Sequence, residues 1–385
     1  MFASHISQCR KTQNDLNLAT MKYCLGSTEA PKSLLFTRET FAKLSPHPYL
    51  LAHLQPSTSS KSSSPSRANG RTLTQFRPPH VNNGSLTHAE GSAVIRTGDT
   101  TVVCGVRGEI LLASNVASGL SRFEKNSLTT ITEYSSSPSR PSYNDVAKEL
   151  DLLVPNIELA TGCSPNFLPG LPPTTLAQSL STRIYALLHS SKLLNSKDLI
   201  IWYKPPDLRN QDEPFADGGV KINEEPEEIK GFWTLYIDIL FISLDGNPFD
   251  AAWAAVLSAL RDTRLPKAYW DPDQEMILCH NELSESRKLR LNCFPIATTA
   301  VIFRAKEKSH NKCQDKDHWI LVDPDAFEES LCDETVTVVI DISTNVCNIL
   351  SLSKTGGTIA EQKQINEIVN CAQERWVEFQ KALST

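Results

Sequence analysis

The chain has 385 residues and a formal net charge of −6, with 40 % hydrophobic and 21 % charged residues. This length allows one large domain or two medium ones, and the composition is ordinary for a soluble globular protein. The negative charge excludes a protein that is drawn to nucleic acid by its bulk charge, so any RNA contact has to come from a local basic patch.

Ten cysteines are scattered along the chain without a Cys-x-x-Cys pair. This spacing predicts a reduced intracellular protein without a structural zinc site. No apolar run reaches the roughly 18 residues that a membrane span requires. The first 24 residues have no clear amphipathic stripe, which favours a disordered or mis-annotated extension over a transit peptide. Met21 is an equally good candidate for the start.

The first predicted elements are helical. Residues 37–54 have apolar positions at helical spacing, and Pro46 and Pro48 divide them into two short pieces. A Ser/Pro-rich tract, 56–67, is too polar to fold on its own. The segment 91–109, GSAVIRTGDTTVVCGVRGE, predicts two strands joined by a tight turn at Gly98-Asp99, where glycine provides the positive φ that such turns need.

A longer helix is predicted to begin at 173–175, with apolar residues at helical spacing after it. A strand at 198–204, a polar and acidic insert at 205–231, and a strand at 233–244 follow. The strand at 233–244 is expected to be buried on both faces apart from Asp238. The next helix, 249–261, has Asn247 as N-cap, Pro248 at its first position and Asp250 in its first turn.

The chain is polar from 266 to 290, which predicts a domain boundary. Four strands are expected beyond it, at 295–304, 318–322, 335–342 and 346–352. A closing helix, 359–383, has one apolar stripe made of Ile365, Ile368, Val369, Ala372, Trp376, Phe379 and Leu383. Strands followed by helices, twice over, indicate an α+β protein of two units that pack together.

The hairpin sequence resembles the opening hairpin of the ribonuclease PH-like family. Further matches are Tyr49-Leu50, the Arg67-to-Arg71 segment with its two arginines and glycine, Phe76-Arg77, and Lys354 to Gly357. The resemblance implies a ribonuclease PH-like fold, with a ribosomal S5 domain 2-like first unit and a C-terminal RNase PH-type unit. The expected divisions are an extension at 1–66, a first domain at 67–268 that carries the acidic insert, and a second domain at 290–385.

The motif that discriminates within this family is Gly246-Asn247-Pro248-Phe249-Asp250. Active phosphorolytic members carry a Gly-Thr-Arg-Thr-Ala-like sequence there, which holds the attacking phosphate at a helix N-terminus. Here Pro248 removes a backbone donor, and Asp250 places a carboxylate where the anion would bind. The motif therefore predicts no catalytic residue and no cofactor. Asp333 lies near the position of an acid in active relatives, but an exposed acid at the start of a strand explains it equally simply.

The candidate RNA-binding residues are Arg122, Phe123 and Lys125 in one loop, and Arg183 on the predicted helix after Pro173. Two cations beside an aromatic ring suit a phosphate backbone with a stacked base. The alternative interpretation of the loop is that its side chains are simply solvated. The alternative for Arg183 is that its side chain packs along the helix while its charged end reaches water.

The resemblance implies a non-catalytic structural subunit of the eukaryotic RNA exosome ring, which supports 3′-to-5′ RNA processing and degradation. Its implied partners are other RNase PH-like ring subunits, S1/KH-type cap subunits, RNA in the ring channel and a separate hydrolytic nuclease. The implied locations are nucleus, nucleolus and cytoplasm. Two alternatives stay open: an active phosphate-dependent 3′-to-5′ exoribonuclease, and a small-molecule enzyme on the same scaffold.

Overall fold

A computed structural model describes residues 37–55, 65–116, 143–165, 167–170, 172–205, 228–305, 318–344, 346–357 and 359–384. The chain divides into two compact units, residues 1–63 and 64–385. The first unit holds helices α1 (Arg38–Leu44) and α2 (Pro46–Leu54). The prediction of two helical pieces is confirmed, although Pro48 lies within the first turn of α2, where its missing N–H costs no helical hydrogen bond.

The second unit begins with a six-stranded sheet in the order β1-β2-β3-β6-β4, with β5 also paired to β6. Only β4 runs parallel to its neighbour β6. The strands are β1 (Pro79–Asn83), β2 (Gly91–Thr97), β3 (Thr100–Leu112), β4 (Leu153–Leu159), β5 (Ile200–Tyr203) and β6 (Glu228–Ser243). The predicted hairpin is β2–β3: Thr97 pairs with Thr100, and Gly98 has the expected positive φ of 61°.

Strand β6 differs from its prediction in two ways. It begins at Glu228, so residues 228–231 of the predicted insert belong to the sheet. It is also not buried on both faces, since Leu240 is 38 % and Ile242 49 % exposed. Alternate side chains of a strand point to opposite faces of the sheet, and Leu240 and Ile242 share one face of β6. We call this the open face, because these two apolar side chains are exposed on it in the described part of the chain. On that face Asp238 forms an ion pair with Arg107 at 3.5 Å.

Helices α3 (Tyr143–Glu149), α4 (Thr175–Ser190) and α5 (Pro248–Asp262) complete the first half of the unit. The start of α4 is as predicted, with the Thr174 hydroxyl accepting the Ala177 N–H at 3.2 Å. Helix α5 packs on β2 and β3 and also contacts the second sheet. Its Trp253 is fully buried and donates its indole N–H to the Pro295 carbonyl at 2.8 Å. One apolar helix thus forms the common core of both halves.

The predicted boundary at 266–290 is structured. It holds the short strands β8 (Ala268–Asp271), β9 (Met276–Cys279) and β10 (Arg287–Lys288), and β7 (Arg264–Leu265) directly precedes it. The four strands form two small antiparallel pairs, β7–β10 and β8–β9. Strands this short have no detectable alternation of apolar residues, which explains why a sequence pattern misses them.

The second sheet has the order β12-β11-β13-β14 and is antiparallel throughout. Its strands are β11 (Ile296–Arg304), β12 (His318–Val322), β13 (Glu334–Asp341) and β14 (Asn348–Thr355). Helix α6 (Ala326–Leu331), which the sequence analysis missed, begins with a capping box of Asp325 and Glu328. The closing helix α7 (Gln362–Ser384) packs on β11 and β13. Five of its predicted stripe residues are buried, namely Ile368, Ala372, Trp376, Phe379 and Leu383.

Within the described residues, no helix has the length and apolar character that crossing a membrane requires. All seven cysteines in this part of the chain are free thiols.

We expect Gly91→Ala to destabilise the protein, because β2 passes α5 too closely for a side chain. A Cβ at Gly91 would lie 2.5 Å from the Thr263 Cα and 2.6 Å from the Ala259 carbonyl oxygen. Overpacking of this kind costs about 1–3 kcal/mol. Urea denaturation measures the free energy of unfolding, with Gly162→Ala as the control, since a Cβ there meets nothing within 4 Å. Equal stability of the two variants would contradict the packing.

Candidate functional site at the strand-to-helix junction

The family's discriminating motif lies where β6 passes into α5. Gly246 has a φ of +72°, and a Cβ there would lie 2.5 Å from the Asp325 carbonyl carbon and 2.6 Å from the Ala326 nitrogen. The loop before α6 therefore lies directly against this glycine. The chain's own second half therefore covers Gly246.

Asn247 occupies the N-cap position of α5, as predicted, but not as a side-chain cap. Its backbone is left-handed, with a φ of 50°, and its side chain accepts no helical N–H. Instead the amide Nδ2 donates to Asp250 at 2.8 Å and to Asp323 at 2.9 Å. Asn247 is therefore the N-cap by position only. Its side-chain Nδ2 is bound by two carboxylates, and its side chain caps no helical N–H.

Asp323, directly after β12, is the centre of the site. Arg77 donates to it through Nε at 3.0 Å, Nη2 at 2.7 Å and its backbone N–H at 2.9 Å. Burial alone would raise the pKa of Asp323. The hydrogen bonds and charge of Arg77, the charge of Arg375 and the Asn247 amide together lower that pKa to about 2. The carboxylate is therefore an anion at physiological pH.

Two further carboxylates occupy the start of α5. Asp250 accepts the Thr299 N–H and hydroxyl, both at 2.7 Å, while burial raises its pKa. Glu329 accepts the Asn247 N–H at 2.7 Å. Burial, assisted by the charges of Asp250 and Asp323, raises the pKa of Glu329 to about 7 against the opposing effects of the Asn247 N–H and Arg77.

Arg67, Arg71 and Arg77, which belong to the motifs that resemble the family, form hydrogen bonds around this site. Arg67 forms a fully buried ion pair with Glu328 and donates to the Val322 carbonyl at 2.6 Å. Arg71 donates to the Asp323 carbonyl at 3.0 Å, and Arg77 reaches the Asp245 carbonyl at 2.7 Å. These arginines therefore bind protein carbonyls and carboxylates.

The network leaves no room for an anion. The cavity among Arg77, Asn247, Asp250, Asp323 and Arg375 measures about 10 Å³. A single water-sized sphere needs about that volume. The Asn247 N–H is bonded to Glu329, and Pro248 has no N–H to offer an anion.

Arg183 joins the edge of this network through the Thr337 and Thr299 hydroxyls, the second of which donates to Asp250, and it lies in a groove between α4 and the second sheet. Its guanidinium stacks on the Phe249 ring, 3.9 Å from the centroid, and donates to the Thr337 hydroxyl at 3.2 Å. Burial lowers its pKa. The groove has a volume of about 230 Å³ and is also lined by Ser190, Ser351 and Ser353. RNA binding by Arg183 stays a prediction.

Of the other residues singled out in the sequence, the structure describes Asp333 but not the loop of Arg122, Phe123 and Lys125. Arg122, Phe123 and Lys125 lie outside the described residues. Asp333 is exposed and directly precedes β13. Within the described part of the chain, no group of three His, Cys, Asp or Glu side chains is arranged to hold a metal ion.

Sequence reasoning missed Asp323, Glu328, Glu329 and Arg375. The available signal was an acid directly after an apolar strand, followed by the capping pattern Asp325-x-x-Glu328. That pattern predicts a helix start, but it does not indicate that Arg77, 246 residues earlier, binds the same acid.

We expect the Arg67–Glu328 pair to be strongly coupled in stability. Arg67→Met alone should lower the free energy of unfolding by about 3–5 kcal/mol, because it leaves a buried carboxylate uncompensated. The double variant Arg67→Met/Glu328→Leu should lose less than the sum of the single losses. Arg96→Met, at an exposed ion pair with Asp99, is the control and should change stability by less than about 1 kcal/mol. Additive losses measured by denaturation would contradict the coupling.

We expect Glu329→Gln to change how stability depends on pH. The folded-state pKa of Glu329 is raised from 4.5 to about 7, so its contribution is full below pH 4.5 and is lost as pH rises through 7. Glutamine does not ionise, so the melting temperature of the variant should rise relative to the native chain between pH 5 and pH 8. Thermal melts across this range measure the difference, with the exposed Glu367→Gln as control. Parallel curves for native and Glu329→Gln would contradict it.

Comparisons with known proteins agree with this architecture. Residues 75–266 match the 3′ exoribonuclease family, domain 1, and residues 293–375 match domain 2 of the same family. The chain is 29 % identical to the exosome complex component rrp43 of Schizosaccharomyces pombe, over 90 % of this chain and 97 % of the relative. It is 28 % identical to the exosome complex component Rrp42 of Methanopyrus kandleri, over 74 % of this chain and 79 % of the relative.

Among solved structures, the fold is similar to a chain of the Archaeoglobus fulgidus exosome with RNA bound to the active site. The TM-score is 0.54 at 23 % identity, covering 86 % of this chain and 97 % of that one. This likeness confirms the α+β ribonuclease PH-like fold. With both family domains matched in order along the sequence, the chain belongs to the RNase PH-type 3′ exoribonuclease family.

Proposed function

We propose that this chain is a non-catalytic structural subunit of an RNA exosome ring, which supports 3′-to-5′ RNA processing and degradation carried out elsewhere in the complex. The relatives named as exosome components support the assembly. The filled strand-to-helix junction supports the lack of catalysis.

The observation that carries the proposal is the occupancy of the junction by the chain's own groups. Anion binding at a helix N-terminus needs free backbone N–H groups and a positive surrounding. Here Glu329 accepts the Asn247 N–H, and Asp250 and Asp323 add two carboxylates to the start of α5. Arg77, the nearest guanidinium, is already bound to Asp323. An incoming phosphate would have to displace these carboxylates.

Exposed apolar side chains on the two sheets support the proposal that this chain binds neighbouring subunits in a ring. Leu240 and Ile242 lie on the uncovered face of the first sheet, and Ile349 and Leu352 are about half exposed on β14, the edge strand of the second. Exposed apolar patches and free strand edges are typical of surfaces that bind other subunits. Their proposed occupants are neighbouring RNase PH-like subunits.

The remaining partners are proposed from the resemblance. They are S1/KH-type cap subunits, RNA threaded through the ring and a separate hydrolytic nuclease. Nucleus, nucleolus and cytoplasm are the proposed locations.

We expect no phosphorolytic activity from the purified chain. Incubation with single-stranded RNA, inorganic phosphate and Mg²⁺ should release no nucleoside diphosphates, because three carboxylates lie around the start of α5 and the Asn247 N–H is already bonded to one of them. An active phosphorolytic relative under the same conditions is the positive control. Steady release that Asp333→Asn abolishes would instead favour the alternative, an active phosphate-dependent exoribonuclease.

We expect Leu240→Glu/Ile242→Glu to prevent assembly without unfolding the chain, because both side chains already face outward. Co-expression with the ring subunits and purification through a tag on a neighbour measures incorporation. Leu283→Glu, at an apolar residue that is 85 % exposed elsewhere, is the matched control and should be retained. Retention of the double variant in the complex would argue against this face as a subunit contact.

A further inference from the structure

Two like charges face each other in the small β7–β10 pair between the two family domains. Arg264 and Lys288 are direct partners in this antiparallel pairing. Opposed residues project from the same face, and like charges directly opposite each other destabilise the pair. Both residues are exposed. The arrangement therefore works against the stability of the fold.

Two more arginines extend this positive surface. Arg261 lies in the last turn of α5, and Arg290 follows β10 by two residues and is exposed. Arg261 and Lys288 line one open groove of about 350 Å³, together with Asn292 and Ser343. We call Arg261, Arg264, Lys288 and Arg290 the basic ridge.

The carboxylates around the basic ridge are engaged elsewhere. Asp262 accepts the Ser92 N–H at 3.2 Å, and Asp341 accepts the Phe294 N–H at 3.1 Å. Asp198 binds Arg287, the neighbour of Lys288, at 2.5 Å. Among the described residues, the salt bridges within 4 Å include none made by the four ridge cations.

Helix stabilisation explains only part of the ridge. Arg261 complements the negative end of the α5 dipole. That effect does not account for the opposed Arg264 and Lys288, which lie outside the helix. In a chain of net charge −6, four clustered cations form a local positive field that a polyanion would neutralise.

The exposed part of the ridge favours phosphate groups over a protein segment. Leu289, between the exposed Lys288 and Arg290, is only 6 % exposed, so the exposed side chains of this segment are cations. Three of the four ridge cations are arginines, whose forked donors match phosphate oxygens. Leu291 and Phe294 also line the groove beside Arg261 and Lys288.

We propose that the basic ridge binds the phosphodiester backbone of RNA, without reading its sequence. The proposal rests on the proposed role in RNA processing, but not on the lack of catalysis at α5. Relief of the Arg264–Lys288 repulsion by a bound phosphate is the physical reason for the site.

The test measures RNA binding by the co-purified ring complex carrying Arg264→Gln/Lys288→Gln. Fluorescence anisotropy with labelled oligo-U and oligo-A should show weaker binding of both at low salt. Losing two phosphate contacts should reduce the slope of log affinity against log salt by about 1.4, at about 0.7 per contact. Lys148→Gln/Lys363→Gln is the matched control, because it removes two exposed cations from α3 and α7, outside both the ridge and the open face of the first sheet, and should leave the slope unchanged. An unchanged slope in the ridge variant would overturn the proposal.

Lys288→Glu separates binding from folding. It places opposite charges across β7–β10, so the melting temperature should rise while RNA affinity falls. A higher melting temperature with native RNA affinity would overturn the proposal, and so would loss of a protein partner with RNA affinity intact. Failure of a ridge variant to co-purify would likewise overturn the proposal, because the ridge would then be a subunit contact. Failure of the native chain to co-purify with ring subunits, or phosphorolysis by the native chain, would count against the proposed function instead, and each is read in a separate assay.

Discussion

The structure depends on one buried carboxylate, that of Asp323. It accepts three hydrogen bonds from Arg77, which precedes the first sheet, and one from Asn247 at the start of α5. Arg375 of α7 adds its charge and donates to the Arg77 carbonyl at 2.9 Å. A buried charge is costly unless it is paired and hydrogen-bonded. Asp323 therefore holds the N-terminal segment, the strand-to-helix junction and the second sheet in one arrangement, because no single partner satisfies it alone.

The same interactions explain why the junction offers little to a phosphate ion. The Asn247 N–H, its side-chain amide and the Arg77 guanidinium are bound to the chain's own carboxylates. Arg67, Arg71 and Arg77 retain the positions that carry the family resemblance, yet each now contacts protein oxygen atoms. Phe249 stands where the resemblance implies a phosphate-binding side chain, and its ring packs under Arg183. These contacts join the strand-to-helix junction of the first domain to the second domain.

The sequence was sufficient to predict those elements that depend only on residues close together in the chain. The β2–β3 turn, the start of α4 and the buried stripe of α7 follow from residues within a few positions of each other. The prediction that β6 is buried on both faces was wrong. The sequence of an apolar strand is the same whether a helix of this chain or another surface covers it. Asp323 was missed since its binding to Arg77 joins residues 246 positions apart. The sequence also could not show how the Asn247 side chain is oriented, because one acceptor of its Nδ2, Asp323, comes from the other domain.

The most direct test of this account is a crystal structure of the protein grown in high inorganic phosphate. The account predicts that the Asn247 N–H remains bonded to Glu329, that Arg77 remains bound to Asp323, and that no anion lies at the start of α5. A phosphate ion held by the α5 N-terminus, with Asp250 or Glu329 displaced from it, would contradict the central claim.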